Sequence, residues 1–162
     1  MQNHTITMNR RSLLTKAAIG LPAMGVVGAL AWANPATTPE ASALAVDGVW
    51  GPATTRALQG YLKTPVDGIV SGQDPTWQAG NTHLGSGWDW SGGGGSALIR
   101  AIQRRLGVTA DGLFGPQTSH AWHGRMGRVA SNYFNHPGIV RDIQLRLSQG
   151  RDPFRGHSLG PI

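Results

Sequence analysis

The sequence predicts an all-α protein made of two related small helical units, and two internal repeats carry that expectation. VDGVWGPATTRAL at residues 46–58 returns as ADGLFGPQTSHAW at residues 110–122, with Asp47, Gly48, Trp50, Gly51, Pro52, Thr54 and Ala57 falling on Asp111, Gly112, Phe114, Gly115, Pro116, Thr118 and Ala121. LIRAIQRRLG at residues 98–107 likewise returns as IVRDIQLRLS at residues 139–148, so the chain alternates turn-plus-helix with an arginine-bearing helix. With 162 residues and 40% apolar content, there is room for one ordinary domain or two very small ones.

The first segment, residues 1–33, reads as an export signal. MNRRSLLTK places Arg10 and Arg11 ahead of the apolar run AAIGLPAMGVVGALAWA, and the Arg10-Arg11-Ser12-Leu13-Leu14 order matches a twin-arginine signal. Small residues around Ala33 offer one cleavage point, and Ala41-Ser42-Ala43 offers a second. The apolar run is short for a membrane span and contains Gly and Pro, so the membrane is expected to matter only during export. Residues 34–44, rich in Pro, Thr and Ala without a period, read as a flexible spacer.

Each Asp-Gly pair predicts a chain reversal, since Gly accepts positive φ and Asp can bond its own backbone two residues on. Gly51-Pro52 and Gly115-Pro116 then predict helix starts, with Gly as N-cap and Pro at the first helical position. Thr54, Ala57, Leu58, Tyr61 and Leu62 form one stripe at helical spacing, as do Thr118, Ala121, Trp122 and Met126. TPVDGIVSGQ at residues 64–73 begins the turn motif again without its aromatic-Gly-Pro part and reads as a loop. Ile99, Ile102 and Leu106, like Val140, Ile143 and Leu147, give each arginine helix an apolar face with its arginines outward. NTHLGSGWDWSGGGGS at residues 81–96 reads as a linker by composition. The expected units are therefore residues 45–107, including that linker, and residues 108–150, followed by a tail at 151–162.

Composition narrows the chemistry. There is no cysteine, which removes disulfides, thiolate metal ligands and thiol nucleophiles. Loss of residues 1–33 takes Arg10, Arg11 and Lys16 with it, leaving 11 of the 14 basic residues against all 8 acidic ones, and the net charge falls from +6 to +3. For an exported chain that balance favours an anionic cell wall over nucleic acid as partner. Paired-carboxylate hydrolysis needs two placed acids. The only Glu is Glu40 in the spacer, and Asp47, Asp67 and Asp111 are committed to turns. His120, His123 and His136 are the one set with a metal-ligand look, but no Glu base accompanies them. No catalytic residue, metal or cofactor is therefore expected.

The pairing of DGxxGPxTxxAL with an IQRRLG helix resembles the peptidoglycan-binding domain, an accessory module of bacterial and especially actinobacterial cell-wall hydrolases. AIQRRLGVTADGLFGPQTSHAWHGRMG at residues 101–127 carries the fuller match and residues 46–73 a split one. The second copy departs from the pattern at Trp122-His123 and at RVASNYFNH, residues 128–136. The resemblance implies a compact three-helix bundle, no catalysis of its own, and a secreted protein held on peptidoglycan. The expected ligand contacts are Trp50, Thr55, Arg56, Arg100, Arg104 and Arg105, where guanidinium forks meet wall carboxylates or phosphates. Trp50 and Phe114 are also expected as core plugs, while Trp77, Trp88 and Trp90 read equally as surfaces on which a sugar ring could stack and as side chains tucked onto the bundle. The alternative is a secreted interaction or inhibitor protein using the same fold without a glycan ligand, with a cell-wall hydrolase third.

Overall fold

The computed structural model describes residues 44–156, so the expected export signal and most of the spacer lie outside the described residues. Among the described residues there are four α-helices: α1 (Pro52–Leu62), α2 (Ala97–Leu106), α3 (Pro116–Arg125) and α4 (Pro137–Ser148). A short 3-10 turn occupies Pro75–Trp77, and no strand is formed among the described residues. The fold is all-α, as the repeats predict.

The helix boundaries follow local chemistry. Gly51 and Gly115 are the N-caps of α1 and α3, each in extended conformation, with proline at the first helical position. The Ser96 hydroxyl caps α2 by accepting from the Leu98 amide at 3.2 Å, and α2 stops at Gly107 with φ +77°. At α4 the cap is His136, whose Nδ1 accepts from the Gly138 amide at 3.1 Å ahead of Pro137. α1 ends on Lys63, the only non-glycine residue of positive φ among the described residues.

α1 packs against α2 and α4, and α2 packs against α3. The core between them is aromatic. Trp50 is fully buried, with Trp88 at 5.0 Å, Trp122 at 5.5 Å and Phe114 at 6.0 Å between ring centroids, all edge to face. Phe134 touches Trp50, Phe114 and Trp122, and Phe154 stacks on Trp122 at 4.9 Å. Leu58, Ile99, Ile102, Val140 and Ile143 complete it. The plugs of both repeat copies thus meet in one core. Each large side chain buried there stabilises by about 1.5–3 kcal/mol, and the edge-on ring contacts add roughly 0.5–1.5 kcal/mol each.

Each Asp-Gly turn is held by a glutamine from a helix. Gln103 accepts from the Gly112 amide at 2.8 Å and donates to Asp111 Oδ1 at 2.7 Å, the Leu113 carbonyl at 3.0 Å and Thr118 Oγ1 at 3.0 Å. Gln144 treats the other copy identically, accepting from Gly48 N at 2.9 Å and donating to Asp47 Oδ1, the Val49 carbonyl and Thr54 Oγ1 at 2.8, 3.0 and 3.1 Å. Both glutamines are buried. The expected boundary near residue 107 therefore does not hold: α2 clasps the turn that follows it, and α4 comes back to clasp the turn at residue 47. The described residues, 44–156, fall within one compact unit.

The turn at residue 67 is built the same way, although it lacks the Gly-Pro start. Gln59 accepts from the Asp67 and Gly68 amides at 3.1 and 2.9 Å and donates to Asp67 Oδ1 at 2.6 Å. Val70 takes the place of Trp50 and Phe114 and is fully buried. The three turn glycines, Gly48, Gly68 and Gly112, sit at φ +83°, +80° and +86°, where a side chain would be strained.

Residues 81–96 are not a free linker. Trp50 N donates to His83 O at 2.8 Å and Gly85 N returns to Trp50 O at 3.0 Å, while Val70 exchanges bonds of 2.8 and 2.9 Å with Gly87 and Asp89. Ser96 N then reaches Gly112 O at 2.9 Å. An extended strap with few side chains can approach three turns closely and satisfy their backbone groups, which a composition-based reading as linker overlooks.

Candidate functional site

Two clefts of similar size repeat the sequence repeat. The first, about 190 Å³, is lined by Gln103, Asp111, Leu113, Gly115, Pro116, Gln117 and Thr118 with Trp77 as a side wall. The second, about 210 Å³, is lined by Gln144, Asp47, Val49, Gly51, Pro52, Ala53 and Thr54 with Leu44 and Ala45 in place of the indole. These are the same positions of the motif, with Val49 and Ala53 standing where the first cleft has Leu113 and Gln117. In each cleft a buried threonine hydroxyl accepts from the clasping glutamine, and no acceptor for its own proton is present among the described residues. A carboxylate, a hydroxyl and a proline ring thus face a concavity twice in one chain.

Of the expected ligand contacts, the structure removes two outright. Trp50 and Thr55 are both fully buried, and Trp50 Nε1 donates to Thr55 Oγ1 at 2.9 Å, so neither can meet an external ligand. The physical reason is that the aromatic of the turn motif fills the centre of the core. Arg56 and Arg100 lie over turns: a Cβ built on Gly68 would stand 2.9 Å from Arg56 Cζ, and one on Gly112 would stand 3.0 Å from Arg100 Cζ. Arg141 covers Gly48 in the same way, and Arg100 also bonds the Gly94 carbonyl. Each clasping glutamine therefore has an arginine one helical turn before it on the same turn. Arg105 pairs with Asp152 at 2.9 Å. Arg104 is exposed and has no ion pair among the described residues, and none of Arg56, Arg100, Arg104 and Arg105 lines either cleft.

The carboxylates are spent on backbone. Asp47, Asp67, Asp74, Asp89, Asp111 and Asp152 each accept from the amide two residues on, at 2.8 to 3.0 Å. The Val49 amide and the Gln144 side chain hold Asp47 below the usual carboxylate range, and the Ile69 amide and Gln59 do the same to Asp67. Asp74 is lowered by the Thr76 amide and Asp89 by the Gly72 amide. A general acid needs the opposite shift. The seventh, Asp142, pairs with Arg128 Nε at 2.9 Å.

A larger and more open groove of about 510 Å³ lies elsewhere, between the end of α3 and the start of α4, with His123, Arg128, Ser131, His136, Ile139 and the exposed Val129 along it. His123 is buried, its Nδ1 sits 2.8 Å from the Ser119 carbonyl, and burial holds its imidazole below the ordinary 6.5 with Arg128 and His120 adding like charge. With His136 capping α4 through Nδ1, the three histidines do not converge, and no group of three His, Cys, Asp or Glu suited to a metal occurs among the described residues. The ionic groups here already have protein partners, so size alone does not make this groove the better site.

Among the tryptophans considered as sugar platforms, Trp88 is buried against Trp50 and donates to its carbonyl at 3.3 Å, and Trp90 stacks on Trp88 at 5.5 Å. Trp77 is half-buried at the first cleft. Reading the sequence alone missed the clasping glutamines, although Gln59 and Gln103 both stand eight residues before their Asp. No family model, curated protein or solved structure matches the chain.

Proposed function

We propose that the protein is a secreted, non-catalytic module that binds peptidoglycan and sits in the anionic cell wall, its export directed by Arg10-Arg11. The observation that carries this reading is the duplicated cleft, built from the two copies of the Asp-Gly, Gly-Pro, Thr motif that resembles the peptidoglycan-binding domain. Two equivalent sites suit a repetitive polymer, because linked sites raise avidity without new contacts. Commitment of the seven described aspartates to amides or to Arg128 supports binding without hydrolysis. The test is co-sedimentation with purified sacculi, before and after removal of teichoic acid, together with a turbidity assay. Sedimentation with both preparations at constant turbidity is expected. Clearing of the suspension, or a protein that stays in the supernatant with both, overturns the reading.

A second reading, a secreted interaction or inhibitor protein, is favoured by the 510 Å³ groove and the 91% exposure of Val129 at its rim. Its consequence is retention of a protein partner by a chain that does not sediment with sacculi.

A further inference from the structure

We infer that the cleft beside Trp77 is a saccharide subsite that takes one pyranose ring of an amino-sugar strand, an inference that rests on the cell-wall reading and names what that site recognises. Three of the indoles are fully used within the fold: Trp50 Nε1 donates to Thr55, Trp88 Nε1 to the Trp50 carbonyl and Trp122 Nε1 to the Pro153 carbonyl at 3.1 Å. Trp77 differs. Its Nε1 has no protein acceptor among the described residues and lies 3.5 Å from where a Cβ of Gly115 would stand, at the cleft wall.

The platform is also fixed in place. Asp74 caps its 3-10 turn through the Thr76 amide at 2.9 Å, and the buried Asn81 side chain donates to the Trp77 carbonyl at 2.7 Å while accepting from Phe134 N at 2.8 Å. Tyr133 packs on the indole at 6.2 Å, and it can do so only because residue 80 is glycine: a Cβ there would stand 2.4 Å from the Tyr133 ring. An aromatic side chain held this way loses little entropy on binding.

The chemistry of the cleft matches a sugar ring. Trp77, Leu113 and Pro116 give apolar faces for ring C–H groups, while the exposed Asp111 and Gln117 give a polar edge for hydroxyl and acetamido groups. At about 190 Å³ the space is below the few hundred Å³ of sites for drug-sized ligands and suits one ring rather than a chain of residues. Thr118, 1% exposed, lies at the floor of the cleft with its hydroxyl held by Gln103. The second cleft keeps the carboxylate, proline and threonine but has Leu44 and Ala45 where the indole would be, so ring stacking belongs to the first cleft alone.

The experiment titrates the protein with a β-1,4-linked N-acetylglucosamine trimer and follows the indole N–H resonances, in parallel with sacculus sedimentation. Saturable movement of the Trp77 Nε1 signal is expected, with those of Trp50 and Trp122 unmoved. Trp77→Ala should weaken trimer binding at least tenfold, and Trp77→Phe, which keeps a ring in the same packing, should weaken it less and remain folded even if the alanine variant does not. Trimer affinity unchanged in the Phe variant and in a folded Ala variant overturns the inference. A protein that sediments with sacculi yet ignores the trimer overturns it too, but leaves the wall reading standing. Failure to bind either removes both.

Discussion

Replacing Gln144 with leucine probes the clasp that joins the two ends of the described chain. The side chain is 1% exposed and makes four hydrogen bonds to residues 47 to 54, 90 to 97 positions away in sequence. Leucine keeps most of the volume and removes every polar atom. Asp47 and Val49 are exposed and regain water, but the Gly48 amide and the Thr54 hydroxyl are buried and lose a partner. An unsatisfied buried polar group costs about 1–3 kcal/mol, and with a partial offset from the apolar side chain the net loss is about 2–4 kcal/mol. At roughly 5 °C per kcal/mol for a domain of this size, that lowers Tm by about 10–20 °C. Urea and thermal unfolding followed by circular dichroism measure it. Gln103→Leu should behave alike, because it strands the Gly112 amide and Thr118, whereas Gln59→Leu should cost less, since no threonine completes that clasp. Gln144→Glu adds a sign test: a carboxylate facing Asp47 destabilises at neutral pH, and acid that protonates the new side chain should relieve it. A loss below about 1 kcal/mol for Gln144→Leu, or a larger cost at Gln59, would refute the reasoning.

Other outcomes follow from the same geometry. His123 has a depressed folded-state pKa, so the unfolded chain binds its proton more readily; the stabilisation is present above about 6.5 and is lost as pH falls through the lower folded value. Tm should drop from pH 7 toward pH 5, and His123→Gln should flatten that slope. Arg56→Ala and Arg100→Ala should lower Tm by a few degrees while leaving sacculus binding per folded molecule unchanged, because both arginines cover turns instead of lining a cleft; a selective loss of binding at full stability would return them to the site. Changing Arg10 and Arg11 to lysine should hold the precursor inside the cell, and normal secretion of that variant would remove the twin-arginine route.

The local elements were legible because their causes are local. Proline at the first helical position, glycine at φ near +80° and the three-and-four spacing of Ile99, Ile102 and Leu106 all act within one or two turns of chain. The pairing of α4 with the turn at residue 47 was not, since nothing in IVRDIQLRLS distinguishes the turn it will clasp. The same non-locality explains the site. A tryptophan beside Gly-Pro can be a platform or a plug, and only closure of the core shows that Trp50 is enclosed by Trp88, Phe114, Trp122 and Phe134. The arginines misled for a related reason: helical spacing put them on the outer face, but an outer face can still lie over a neighbouring turn. Composition misled at residues 81–96, where glycine permits close backbone pairing as readily as freedom.

Amide chemical-shift mapping with a soluble disaccharide-tetrapeptide fragment of peptidoglycan tests the central claim most directly. The account predicts saturable shifts at Leu113, Gly115, Gln117 and Thr118, and at Val49, Gly51, Ala53 and Thr54, the two clefts of the repeat. Shifts confined to Val129, Ala130 and His136 in the larger groove, or no shifts from a protein shown to be folded, would contradict it.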